Sequence, residues 1–260
     1  MRKNIPILLL CVPLVMGTAE APPPPVAIAP GYLDAAEADL LPVVPPAPTV
    51  GDARDTADRR IFHESSRLEG SERWRLAAAD GEIGPDEALK TFSCAMGFQV
   101  TAAQAPRLTA MVNKVMQDGL RAMTALKDHY RHLRPYHSET GPTCRPTEEL
   151  GASYDYPSGH TMYGWVWANI LAQAMPDRGT AILARGRAYG ESRYICGVHN
   201  HSAVEAGWLV GSALVSLSSA TSAYQADLRA VRRELSGLRV RAPQPEAGYC
   251  RSEANALGGP

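Results

Sequence analysis

Apolar and polar residues follow a helical period along most of the chain beyond about residue 55. In one stretch, Trp165, Ala168, Ala172 and Met175 recur at spacings of three and four, which indicates one helical face packed against other helices. Strand-like alternation is scarce. The pattern therefore predicts helices over residues 54–78, 85–94, 103–133, 161–175, 177–195, 202–219 and 224–238.

Residues at the expected helix ends support these boundaries. Pro135 is expected to end the helix that carries Arg134, because the residue before a proline is pushed out of the helical region. Ser158 is a suitable N-cap for the helix that begins near His160, and Asp177 is a suitable N-cap for the helix after Pro176. The sequence predicts an all-α, single-domain helical bundle over residues 54–242.

The amino terminus has the pattern of an export signal. A basic start is followed by an apolar run of about a dozen residues, too short for a comfortable membrane span, and then by the A-x-A pattern at residues 19–21. We expect a signal peptide at 1–21 and an exported protein; an uncleaved anchor is the alternative. The proline- and alanine-rich segment 22–53 is expected to be an arm or linker outside the core.

Four cysteines remain once the expected signal is removed, and an even number in an exported chain favours two disulfides. Of the three ways to pair them, we favour Cys94–Cys144 together with Cys196–Cys250, which would tie down the tail 243–260. Free buried thiols are the alternative. A metal site is disfavoured because no two cysteines have C-x2-C spacing.

The formal net charge is −1, which gives no electrostatic reason to expect binding to nucleic acid or to an anionic membrane. Basic residues are instead grouped locally. Lys127 and Arg134 are seven apart, almost two turns, so on one helix both would project from the same face. Two such cations suit a dianion, although a solvated basic face would show the same pattern.

Two further clusters add the groups that phosphoryl transfer needs. In Pro157-Ser158-Gly159-His160, a helix start offers free N–H groups to an anion, Gly159 allows close approach, and His160 can donate a proton. In Ser192-Arg193-x5-His199, Arg193 can bind phosphate through two donors, and a neutral His199 can attack phosphorus. Each cluster alone is also compatible with an ordinary capped helix or a surface histidine.

Taken together, the three clusters resemble the bacterial class A non-specific acid phosphatases, within the type 2 phosphatidic acid phosphatase and vanadium haloperoxidase superfamily. Their signature is K-x6-R-P, then P-S-G-H, then S-R-x5-H-x3-D, and the chain matches it except at the last position, where Ala203 replaces Asp. The resemblance covers roughly residues 85–240.

The resemblance implies a secreted, periplasmic phosphatase for phosphate monoesters that works through a phosphohistidine. His199 would be the nucleophile, and His160 the general acid. The implied phosphate-binding residues are Lys127, Arg134, Ser158, Gly159 and Arg193. The family needs no cofactor or metal, is inhibited by phosphate or vanadate, and is often dimeric, so a homodimer is compatible with this reading. A vanadate-dependent haloperoxidase would use the same anion site, but the chain is short for one; a lipid phosphatase would need several membrane spans.

Ala203 removes the acid expected to orient His199 from the next helical turn. Glu205 is the nearest acid along the chain, but six residues on it lies about 240° around a helix, on another face. Reduced turnover is therefore expected. Three hypotheses follow. The first, which we favour, is an engineered inactivating substitution in an otherwise complete phosphatase. The second is a natural weak enzyme or phosphate-binding pseudoenzyme, and the third is partial rescue of His199 by water or a neighbouring residue.

Overall fold

The computed structural model describes residues 30–151 and 153–258, and this part of the chain contains helices and no strands. The predicted all-α fold is confirmed. The helices are α1 (Ala53–Ser66), α2 (Glu72–Ala79), α3 (Pro85–Met96), α4 (Pro106–Tyr130), α5 (Gly159–Ala174), α6 (Gly179–Ile195), α7 (His201–Ser219), α8 (Ser222–Arg241) and α9 (Ala247–Ala256). The last of these, in the tail, was not predicted.

Helix α5 is the centre of the bundle and packs against α4, α6, α7 and α8. Its apolar residues are buried on nearly every side, including Val166, Trp167 and Ile170. Gly164 allows α6 to approach closely, since a Cβ there would lie 2.0 Å from the ring of Tyr189. A fully enclosed helix of this kind holds its amino-terminal end, which carries part of the site, in a fixed position.

The single helix predicted over 54–78 is wrong, because the chain breaks it into α1 and α2. Gly70 has φ of +76°, a conformation that interrupts a helix and that glycine adopts without strain. Ser71 then starts α2 by accepting a hydrogen bond from the backbone N–H of Trp74 at 3.1 Å.

The predicted placement of Lys127 and Arg134 on one helix is also wrong. Helix α4 ends at Tyr130, where Arg131 turns left-handed with φ of +47°. Arg134 lies beyond this end in extended backbone. Pro135 therefore does not end the helix, and the two cations reach a common site from a helix and from the loop after it.

The start of α5 agrees with the sequence, whereas the start of α6 does not. Ser158 is the N-cap of α5 and accepts from the N–H of Thr161 at 3.3 Å. A short 3-10 turn, Pro176–Arg178, separates α5 from α6, and Asp177 does not cap α6. Its carboxylate instead accepts a hydrogen bond from Arg239 at 2.7 Å.

The amino-terminal segment that the structure describes, residues 30–52, contributes to the core. Leu33, Leu40 and Val44 are buried against the main hydrophobic cluster. The backbone N–H of Tyr32 donates to the buried Asp118 carboxylate of α4 at 2.8 Å. The expectation that this segment lies outside the core is wrong for these residues, and the expected signal peptide falls outside the described residues.

The disulfides are Cys94–Cys250 and Cys144–Cys196. Two disulfides are confirmed, but the favoured pairing is wrong. The tail folds back as α9 and brings Cys250 to α3, while Cys144 lies beside the turn that follows α6. A buried ion pair also fixes the tail, in which Arg185 of α6 donates to Glu253 of α9 at 2.7 Å.

Within residues 30–151 and 153–258, no single helix is long and apolar enough to cross a membrane. Helices α7 and α8 pass that test only as a pair, with a 99° bend between them. The same residues contain no group of three or more His, Cys, Asp or Glu side chains arranged to hold a metal ion.

Candidate active site

The candidate active site is a cleft of about 250 Å³ at one end of the bundle. The carboxyl ends of α4 and α6, the amino end of α5 and the turn before α7 meet there. Two larger clefts on the described surface, of about 510 and 650 Å³, contain no histidine. Six of the seven predicted site residues line the small cleft: Lys127, Arg134, Gly159, His160, Arg193 and His199.

Ser158 is the predicted site residue that does not line the cleft. It is fully buried, and its hydroxyl accepts from both the backbone N–H and the hydroxyl of Thr161. Its backbone N–H donates to the carbonyl of Ala203 at 2.9 Å. In this arrangement Ser158 caps α5 and links it to α7.

Arg193 has the strongest indication of an anion site. Its side chain is 4% exposed, and its Nε and Nη1 have no hydrogen-bond partner in the described part of the chain. Burial lowers the pKa of Arg193 to about 10, despite an opposing effect of Tyr189, so the guanidinium remains charged at neutral and acid pH. Because a buried charge with unused donors is costly, this side chain is suited to receive an anion.

Two other cations face the same cleft. Lys127 donates to the carbonyl of Tyr154, and burial together with the nearby Arg134 lowers the pKa of Lys127 to about 8. Lys127 therefore stays protonated below that pH. Arg134 is held by the carbonyl oxygens of Ser153 at 2.9 Å and Val198 at 2.7 Å.

His199 is 3% exposed and is contacted at both ring nitrogens. Its Nδ1 lies 2.7 Å from Oδ1 of Asp155, and its Nε2 lies 3.1 Å from Nη1 of Arg134. A carboxylate accepts and a guanidinium only donates, so this pattern places the proton on Nδ1 and a lone pair on Nε2. Burial, and secondly Arg134, lower the pKa of His199 to about 3, which keeps the ring neutral at acid pH.

The expectation that His199 lacks a supporting acid is therefore wrong. Asp155, which the sequence did not single out, provides the carboxylate from the segment just before α5. Glu205 does not contact His199, as expected. It is exposed, and its Oε2 lies 3.8 Å from Nδ1 of His201. The premise for reduced turnover, a nucleophile without an acid behind it, does not hold in this structure.

His160 occupies the mouth of α5. Its Nε2 lies 2.6 Å from the carbonyl oxygen of Asp80, so Nε2 carries a proton, and its ring stacks on Tyr189 at 4.9 Å. Desolvation, and secondly the charge of Arg193, hold the pKa of His160 well below its usual range. A negative ligand beside Arg193 would oppose that effect and favour the protonated ring.

The cleft also has residues that the sequence did not indicate. Arg145, beside the Cys144–Cys196 disulfide, adds a fourth cation and donates to the carbonyl of Gly81 at 3.2 Å. Ile83 and Glu149 are exposed at its rim. No local motif marks these side chains, which are brought to the cleft by loops outside the three clusters.

Known proteins resemble this chain over most of its length. Residues 108–227 match the PAP2 superfamily. An acid phosphatase of Zymomonas mobilis is 33% identical over 220 residues, which cover 84% of this chain and 83% of that protein. Non-specific acid phosphatases of Salmonella typhi and Providencia stuartii are 32% and 31% identical over 212 residues, covering 79% and 80% of this chain and 85% and 86% of theirs.

The chain belongs to the bacterial non-specific acid phosphatases of the PAP2 superfamily. The superfamily match spans the segment from Lys127 to His199, and it therefore includes all six predicted residues that line the cleft. Membership in this family makes the cation-lined cleft the candidate site for a phosphate ester. The roles of the individual residues stay predictions.

The buried neutral His199 has a consequence for the stability of this family member. In the unfolded chain the ring takes up a proton near pH 6.5, but in the folded protein only near pH 3, so stability falls as the pH drops between these values. We expect wild type to lose about 1.4 kcal/mol more per pH unit than His199→Gln between pH 6 and pH 4. Urea unfolding of both ligand-free proteins at several pH values gives the free energy of unfolding of each. Equal dependence of that free energy on pH in the two proteins would contradict the prediction.

Proposed function

We propose that this chain hydrolyses phosphate monoesters at acid pH through a phosphohistidine on His199. The observation that carries the proposal is that an anion-binding group and a nucleophile line the same small cleft. Arg193 has unused buried donors suited to a phosphate. His199 has a lone pair on Nε2, because the contact between Nδ1 and Asp155 keeps the ring proton on Nδ1.

The reaction proceeds in two displacements. The phosphate of the ester binds among Lys127, Arg134 and Arg193, where its oxygens replace His199 Nε2 as acceptors for Arg134. Nε2 attacks phosphorus, the bond to the ester oxygen breaks, and His160 gives a proton to the departing alkoxide. Water then attacks the phosphohistidine while His160 takes up a proton, and the histidine and inorganic phosphate are released. Fixed cations stabilise the charge on the transferring group throughout.

Acid pH suits this arrangement for two reasons. His199 remains neutral down to about pH 3, so the nucleophile survives acid conditions. His160 is neutral in the empty site but needs a proton to act as an acid. A phosphate monoester below about pH 6 binds as a monoanion and can bring that proton with it. Activity is therefore expected to rise as the pH falls through about 6.

The cleft favours broad substrate use. A volume of about 250 Å³ is below the usual range for a pocket that encloses a drug-sized ligand, so it fits the phosphate and leaves most of the alcohol outside. Nucleotides, sugar phosphates and aryl phosphates all meet this requirement. An alcohol in place of water would capture the phosphohistidine and give phosphotransfer.

Export to the periplasm is part of the same proposal. The signal-like amino terminus supports it, as do two disulfides, which persist in oxidising compartments. Inhibition by phosphate or vanadate follows from the proposed site, since either anion would occupy the cations. Dimerisation stays a prediction from the family resemblance.

Hydrolysis of p-nitrophenyl phosphate by the purified chain between pH 4 and pH 8, with and without vanadate, tests the proposal. We expect turnover that rises toward acid pH and is blocked by vanadate. Phosphate binding without turnover would instead indicate a pseudoenzyme. Peroxide-dependent bromide oxidation in the presence of vanadate, without phosphatase activity, would indicate a haloperoxidase.

A further inference from the structure

We propose that Asp155 is the residue that positions His199, in place of an acid at position 203. This inference rests on the proposed function and names an additional residue for it. The acid and the nucleophile lie 44 residues apart in sequence, and the bond between Nδ1 and Oδ1 is 2.7 Å long. The acid therefore lies in the loop before the general acid His160, and not on the helix that follows the nucleophile.

Asp155 is held rigidly enough to orient a ring. It is fully buried, and Asn200 binds both carboxylate oxygens, through its backbone N–H to Oδ1 at 3.2 Å and its amide to Oδ2 at 2.8 Å. His132 Nδ1 lies 3.3 Å from Oδ2, and the Asp155 N–H donates to the His132 carbonyl at 2.8 Å. Burial favours the neutral acid, but hydrogen bonds from His132 and His199 outweigh it and hold the pKa of Asp155 well below its usual range.

The ionised Asp155 sets the tautomer that the chemistry requires. Attack on phosphorus needs a lone pair on Nε2, so the ring proton must stay on Nδ1. Oδ1 of Asp155 accepts that proton's hydrogen bond, and the donor Arg134 faces Nε2. As the ring becomes positive on forming the phosphohistidine, the same carboxylate stabilises the charge.

Alanine at position 203 is compatible with this arrangement. Ala203 is fully buried in the first turn of α7, and its carbonyl accepts from Ser158, three residues after Asp155. An aspartate there would add a second buried carboxylate to the first turn of α7, whose N-cap residue Asn200 already binds Asp155. Two neighbouring carboxylates cannot both stay ionised without cost, so one acid at this site suits the pocket better than two.

Replacing Asp155 with asparagine tests the inference. We expect kcat for p-nitrophenyl phosphate to fall about 10²- to 10⁴-fold, by comparison with loss of the orienting acid in serine hydrolases, with KM changed less than about threefold. Asp155→Glu is expected to recover part of the loss. Asp58→Asn is the matched control, because Asp58 is also buried and does not line the cleft. Its Oδ1 accepts from the backbone N–H of Ser202, at the start of α7, at 2.8 Å. The kcat of this control is expected to change less than threefold.

A measurement on the wild type covers the case in which the variants do not fold. In ¹⁵N-histidine-labelled protein at pH 6, we expect one neutral ring with a hydrogen-bonded, strongly downfield proton on Nδ1. Vanadate should perturb that ring, which identifies it as the proposed nucleophile. A His199 ring protonated on Nε2 would overturn the inference without any variant.

Other results separate this inference from the proposed function. A wild type without phosphatase activity would contradict the proposed function. An active wild type with Asp155→Asn within threefold of its kcat would overturn only the inference. So would a rise of tenfold or more in kcat for Ala203→Asp, because it would show that the acid was missing after all; we expect no rise.

Discussion

Replacing His199 with alanine is expected to lower kcat by about 10⁵- to 10⁶-fold, the scale of losing a nucleophile in other covalent enzymes. The variant still has the cations that would hold phosphate, so phosphate affinity is expected to change less than about tenfold. Stopped-time assays with p-nitrophenyl phosphate give kcat, and calorimetric titration with inorganic phosphate gives affinity. Mass spectrometry after an alkaline quench, in which phosphohistidine survives, should find the phosphorylated peptide in wild type and not in the variant.

The control for this prediction is His201→Ala. His201 begins α7 two residues after His199, but it is partly exposed, contacts Tyr194 edge-on and does not line the cleft. Its turnover is expected to stay within about threefold of wild type. Residual activity above one-tenth of wild type in His199→Ala would rule out His199 as the nucleophile.

Replacing Arg193 with methionine is expected to separate stability from function. Its buried Nε and Nη1 donors lack partners in the described chain, so the empty protein bears an uncompensated charge. An apolar side chain of similar length is expected to raise the free energy of unfolding by about 1–3 kcal/mol. The same change is expected to lower kcat about 10³- to 10⁵-fold, the range found when an arginine that stabilises a transferring phosphate is absent.

Thermal unfolding with and without phosphate, together with steady-state assays, measures both effects. Phosphate should raise the melting temperature of wild type and have little effect on Arg193→Met. Arg187→Met is the matched control, because Arg187 lies on the same helix, is exposed and pairs with Glu191. An Arg193→Met protein that is less stable when ligand-free, or as active as the control, would contradict the idea that this charge is kept for an anion.

Much of the fold was predictable because helix signals are local. Ser158 starts α5 as its position suggested, since capping depends on atoms three residues away. The break near Gly70 was missed because a single glycine does not by itself end a predicted helix, and its positive φ is visible only in the structure. Helix α9 was missed in a tail that is stabilised by contacts with distant parts of the chain, namely Cys94 and Arg185.

In the candidate site, too, residues in local motifs were predicted and residues brought in by long-range contacts were missed. His160 and Arg193 were recognised from motifs of a few residues, and both line the cleft. Asp155 and Arg145 were missed because each lies in a loop whose path no nearby residue reveals. The helical spacing after His199 predicted its acid at position 203, whereas the acid that contacts it lies in the loop before α5.

The sequence by itself therefore determined the all-α class, the phosphatase family and half of the residues that line the cleft, because helical period, helix starts and short motifs depend on near neighbours. Only the tertiary structure decided which cysteines pair, how Lys127 and Arg134 converge from a helix and a loop, and which carboxylate holds His199. Those features join segments far apart in the chain, and their geometry exists only once the bundle has packed.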